Sequence, residues 1–171
     1  MTLLPVLAPE LADVDPTALV VAVGPGGSGK STYSAAASAR GLVVICLDAL
    51  RQEVSATGDA GDQSATPAAV ALQGALLDAH LRAGEGVFLD STNVEIRVRA
   101  DAIARARVHG RPVVALRFLP DLDVCRARNA ARPANRRVPD NVLDWQHALA
   151  AQATVPALLA EGFTAAHDVT T

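Results

Sequence analysis

Gly24-Pro25-Gly26-Gly27-Ser28-Gly29-Lys30-Ser31 follows the apolar run Leu19-Val20-Val21-Ala22-Val23 and precedes an Ala- and Ser-rich stretch that ends at Gly41. A continuous apolar run that stops at glycine predicts a strand buried on both faces, as in a parallel sheet. Glycine lets successive backbone N–H groups turn inward around an anion, and the helix that follows points its positive end at the same place. The spacing is G-x-x-x-x-G-K-[ST], a phosphate loop. On this reading the amides of Gly26, Gly27, Ser28 and Gly29 cradle phosphate oxygens. Lys30 reaches the β- and γ-phosphates of a nucleoside triphosphate, Ser31 ligates Mg²⁺, and Thr32 adds a contact further back.

A rival pattern shares the same glycines. Gly24, Gly26 and Gly29 also satisfy G-x-G-x-x-G, and Asp48 lies about 20 residues on, where a dinucleotide-binding fold keeps its ribose acid. Gly-Lys-Ser decides between them, because a dinucleotide loop has no need of that lysine. The chain holds 14 arginines and one lysine, Lys30. A protein that writes every other basic residue as arginine has kept a compact ammonium at the one position where a phosphate loop uses it.

Outward from the loop, strands and helices alternate. Strands are expected at 42–47, 87–90, 112–119 and 163–169. Helices are expected from Lys30 to Arg40, from Thr66 (as N-cap, with Pro67 after it) to about Ala83, and over 95–109, 121–131 and 140–160. This predicts an α/β fold: a mostly parallel sheet of about five strands, helices on both faces and an Arg-rich lid. Residues 1–16 read as an N-terminal tail or edge cover, and 17–171 as one domain.

Composition narrows the function classes. Half of the 171 residues are hydrophobic and 19% are charged, which excludes a disordered chain. The longest apolar runs are about six residues, too short for a membrane span, and the first fifteen residues lack the basic flank of a secretory signal. Cys46 and Cys125 make no metal or disulfide pattern, so reduced thiols in the cytoplasm are expected. The net charge of −3 resides in Glu10, Asp13 and Asp15, since from Thr17 onward acids and bases balance. Bulk charge therefore supplies no argument for a nucleic-acid partner, which would have to rest on a local patch. One local patch stands out: Arg126, Arg128, Arg132, Arg136 and Arg137, with no acid among them.

Ligands of open α/β sheets sit at the carboxyl ends of strands. Asp48, after the second strand, is placed to take a proton from an attacking hydroxyl, with Arg51 one helical turn on to hold an anionic acceptor or orient the acid. Asp90 either holds a Mg²⁺-bound water or opens a helix within Asp90-Ser-Thr-Asn93. Gln63 is the most useful donor and acceptor of the polar loop 55–66. The arginines around Pro133 suit a lid that closes on phosphate. His80, His147 and His167 lack metal-ligand spacing, His109 suits a helix C-terminus, and Trp145 and Phe163 read as core or lid packing.

With these residues in view, the chain resembles the kinase domain of bacterial polynucleotide kinases, of the P-loop phosphotransferase superfamily. The resemblance runs from about Leu19 to Val169. It rests on Gly24–Thr32, Leu47-Asp-Ala-Leu-Arg51, Gly61-Asp-Gln-Ser-Ala-Thr66, Val87-Phe-Leu-Asp-Ser-Thr-Asn93, Val124-Cys-Arg-Ala-Arg-Asn-Ala-Ala-Arg132 with Arg136-Arg-Val-Pro139, and Glu161-Gly-Phe163. It implies transfer of the γ-phosphate of ATP, or another NTP, to the 5′-OH end of DNA or RNA, with Mg²⁺ and without a membrane partner. By the same resemblance Lys30 and Ser31 grip donor and metal, Asp48 is the general base, and Arg51 and Gln63 face the acceptor. Arg128, Arg132 and Arg136 are the lid arginines, with Arg136 and Arg137 competing for the inner place because the lid is a residue longer than usual. Larger members join this domain to phosphatase, ligase or hydrolase modules. Two other classes stay open: a P-loop kinase of a small alcohol or sugar, or of toxin-like type, and a nucleotide-binding module without transfer.

Overall fold

The computed structural model describes residues 8–170; the first seven residues of the expected tail, and Thr171, lie outside them. Strands β1 (Leu19–Val23), β2 (Val43–Cys46), β3 (Val87–Asp90), β4 (Val113–Phe118) and β5 (Ala165–Val169) form one parallel sheet in the order β2-β3-β1-β4-β5. Leu19 is opposite Val87 on one side and Val113 on the other. Because β1 is central, its side chains need apolar cover on both faces, which explains the unbroken apolar run. Leu19, Val21 and Val23 enter one core with Ile45, Leu81, Leu89 and Ile103, while Val20 and Ala22 enter the other with Phe88, Leu116 and Phe118.

Helix α1 (Lys30–Ala39) covers the second core through Tyr33 and Ala37, together with Ala8 and Leu11 of the N-terminal segment. Tyr33 meets Phe118 edge to face, centroids 5.0 Å apart. Helices α2 (Leu47–Val54), α3 (Thr66–Arg82), α4 (Ile96–Val108) and α7 (Val155–Glu161) cover the first. Helices α5 (Leu122–Ala130) and α6 (Asp140–Gln152) pack on each other and carry the Arg-rich segment between them.

Four local expectations change. The helix expected over 140–160 is two, because Thr154 starts a new one: its Oγ1 accepts from the Ala157 amide at 3.3 Å, with Pro156 in the first turn. Ala65, not Thr66, is the N-cap residue of α3, and the Thr66 hydroxyl is used elsewhere. Helix α4 begins at Ile96, so Asp90 opens no helix. Trp145 is half exposed, although Phe163 is buried as expected. Among the described residues no helix is long and apolar enough to cross a membrane, and no cluster of three His, Cys, Asp or Glu side chains stands ready for a metal.

Candidate active site

The ends of β1, β2 and β3 open into a cleft of about 1070 Å³, and the residues singled out above for a site line it, Arg126 excepted. The phosphate loop forms the floor. Gly27 has φ +73°, and a Cβ there would sit 2.7 Å from the Cys125 carbonyl oxygen; one on Gly24 would sit 2.5 Å from that of Phe118. Only glycine fits, because the loop is pressed against β4 and α5. Gly29 is the N-cap of α1 and offers no side-chain cap, so the first amides of that helix face the cleft. Ser31 and Thr32, on its first turn, are exposed there.

Lys30 is buried. Its Nζ donates to the carbonyls of Gly24 (2.8 Å) and Pro25 (2.6 Å) and to Ser28 Oγ (3.1 Å). Three acceptors use all three protons of an ammonium. Burial lowers its pKa to about 8, with the Asp90 carboxylate opposing the shift. Asp90 is itself buried, and its Oδ2 accepts from Ser34 Oγ at 2.8 Å.

The turn after β3 is tied to the loop by Thr92 and Asn93, and backed by Arg99, which sequence patterning does not single out. The Gly24 amide donates to the Thr92 carbonyl at 2.9 Å. Asn93 has φ +48°, and its Nδ2 donates to the Ala22 carbonyl at 2.7 Å. Arg99, 2% exposed, donates to the carbonyls of Asn93 and Val94 and forks onto Glu161, both carboxylate contacts at 2.7 Å. The Glu161-Gly-Phe163 stretch noted above thus acts through Arg99, one shell behind the cleft.

Across the cleft, Arg51 Nη1 donates to Asp48 Oδ1 (2.7 Å) and to the Ala60 carbonyl (3.1 Å), and its Nε donates to Thr66 Oγ1 (3.0 Å). Asp48 is exposed to the cleft on the first turn of α2. Arg51 therefore joins Asp48 to the loop that carries Gln63. From the third side, Arg128 Nη1 donates to the Gly27 carbonyl at 3.2 Å, and Arg132, Arg136 and Arg137 line the wall. Arg137 Nε is engaged with the Arg132 carbonyl. Arg126 turns away onto Asp144 and leaves the group. Asn135 Nδ2 donates to Asp59 Oδ1 at 3.0 Å, and Gly61 lies against the Asn135 carbonyl, so lid and polar loop meet over the cleft.

Phosphate loop, strand-two acid and arginine lid around one cleft define a P-loop kinase fold. The chain belongs to the AAA domain family, whose model matches residues 19–153. Among solved structures, a candidate kinase from Chloroflexus aurantiacus is 17% identical, with a TM-score of 0.63 over 78% of this chain and 76% of that one. A gluconokinase from Sinorhizobium meliloti is 22% identical, with a TM-score of 0.59 over 92% of this chain and 86% of that one. At such identities the likeness is one of fold. No curated protein matches.

Proposed function

We propose that the chain is a phosphotransferase that moves the γ-phosphate of ATP to a hydroxyl of a small acceptor. The observation that carries this reading is the opposition, within one cleft, of a buried phosphate-loop lysine and an exposed carboxylate fixed by an arginine. The phosphate loop and lid suit a triphosphate: Lys30, Arg128, Arg132 and Arg136 are cationic, and Gly24 and Gly27 leave no room for a side chain in the loop. Ser31 and Asp90 are the residues to hold a Mg²⁺, which when bound would neutralise phosphate charge.

The acceptor hydroxyl gives its proton to Asp48 as its oxygen bonds to the γ-phosphorus. The bond from that phosphorus to the β–γ bridging oxygen breaks and ADP leaves. Arg51 holds Asp48 in place, and the lid arginines offset the charge spread over the transferring group.

The contact of Asn135 with Asp59 joins the lid segment to the polar loop, which supports a small acceptor, as does a gluconokinase among the chains of like fold. A second reading, the 5′-OH end of DNA or RNA, is favoured by Arg51, which places a cation beside the base where a flanking phosphate would lie. Incubation with γ-labelled ATP, Mg²⁺ and matched panels of sugars, sugar acids and 5′-OH oligonucleotides tests both. Label on a small hydroxyl compound supports the first reading, and label confined to oligonucleotides replaces it with the second.

Two predictions arise here. Arg51→Ala is expected to lower kcat/KM for the acceptor roughly 10- to 100-fold, the worth of hydrogen bonds to a charged group, with ATP affinity nearly unchanged. Loss of ATP binding with an unaltered acceptor KM would contradict it. The second concerns pH. In the free protein the Lys30 ammonium loses its proton near pH 8, whereas a bound triphosphate favours the cation. Affinity for MgATP is therefore expected to be flat below about pH 8 and to weaken above it by up to about tenfold per pH unit. Calorimetric titration on both sides of that value checks this; equal affinities would contradict it.

A further inference from the structure

We propose that Asn129 is a positioning residue that pins the arginine lid over the cleft before the donor arrives. Asn129 lies in the last turn of α5, next to Arg128, and is 4% exposed. Its Nδ2 donates to the Val138 carbonyl at 2.8 Å, and its Oδ1 accepts from the Val138 amide at 3.0 Å. One side chain thus takes both polar groups of one backbone residue, as a facing residue does in a sheet. The segment closed by this pair, 130–137, carries Arg132, Arg136 and Arg137.

The pinned end is registered against the phosphate loop. A Cβ on Gly26 would lie 3.2 Å from Val138 Cγ2, the Gly26 amide donates to Gln146 Oε1 of α6 at 3.0 Å, and Arg128 reaches the Gly27 carbonyl. Both flanks of the lid are therefore fastened to the loop that is to hold the phosphates. An unpinned segment of this length would sample many conformations and lose them only on closing. The pin removes that freedom beforehand, so the arginines act as preorganised donors.

The proposal rests on the kinase reading only for its donor-binding arm. Asn129→Asp keeps an acceptor for the Val138 amide but has no donor for the Val138 carbonyl. It is expected to speed tryptic cleavage after Arg136 and Arg137 at least tenfold under native conditions, with cleavage confined to the lid. The Kd for MgATP is expected to rise about tenfold by calorimetry. Asn129→Ser is the second variant if the aspartate does not fold. Wild-type cleavage rates in a folded variant would overturn the proposal, as would cleavage spread through the whole chain in both variants, which would mark Asn129 as a general core residue. Fast lid cleavage in a chain that binds no MgATP even as wild type would uphold the pin and overturn the kinase reading.

Discussion

Lys30→Ala is expected to reduce phosphoryl transfer by roughly 10³-fold, because losing one preorganised donor in such a site typically costs 10² to 10³ and this side chain also supports the loop. Its Nζ satisfies the Gly24 and Pro25 carbonyls and Ser28 Oγ. Alanine removes the cation proposed to neutralise the phosphates and leaves these three acceptors without their donor. Lys30→Arg is expected to fail nearly as badly. Three acceptors converge on a single nitrogen, and a planar five-donor fork does not match that geometry. Steady-state transfer to a labelled acceptor and calorimetric MgATP affinity separate the two losses, and near-normal transfer by Lys30→Ala would remove the phosphate loop from the mechanism.

Asp48→Asn is expected to lower kcat by about 10² to 10⁴, the usual contribution of a positioned general base, with MgATP affinity changed little. Asparagine keeps an oxygen able to accept from Arg51 Nη1, now 2.7 Å from the carboxylate, so the cleft keeps its shape while the base is lost. A module that binds nucleotide without transferring phosphate would be indifferent to the change. A variant that binds MgATP and turns over at the wild-type rate would strip Asp48 of its role.

The floor of this cleft is legible because local rules determine it. The apolar run to Val23, the glycines that only a loop pressed on backbone requires, and the lone lysine all sit within a dozen residues. The strand order was not legible: β1, β3 and β4 are similar apolar runs, and their neighbours follow from the crossovers. Helix α2 spans eight residues, too short to show a period by itself. The break at Thr154 was hidden in an Ala-rich stretch that reads as unbroken helix. Nothing in the sequence sets Arg99 apart from Arg97, Arg105 and Arg107 of α4, and it is buried because Glu161, 62 residues later, comes to meet it. Asn129 and Gln146 were missed for the same reason. Each matters through a partner, Val138 or Gly26, that folding brings to it.

Transfer of label from γ-labelled ATP by the wild-type chain and by Asp48→Asn, side by side, over small hydroxyl compounds and 5′-OH oligonucleotides, tests the central claim most directly. The account predicts a labelled small acceptor and an equal yield of ADP with the wild type, and retained MgATP binding without transfer in the variant. No labelled product from any hydroxyl compound, with MgATP bound equally by both proteins, would contradict it.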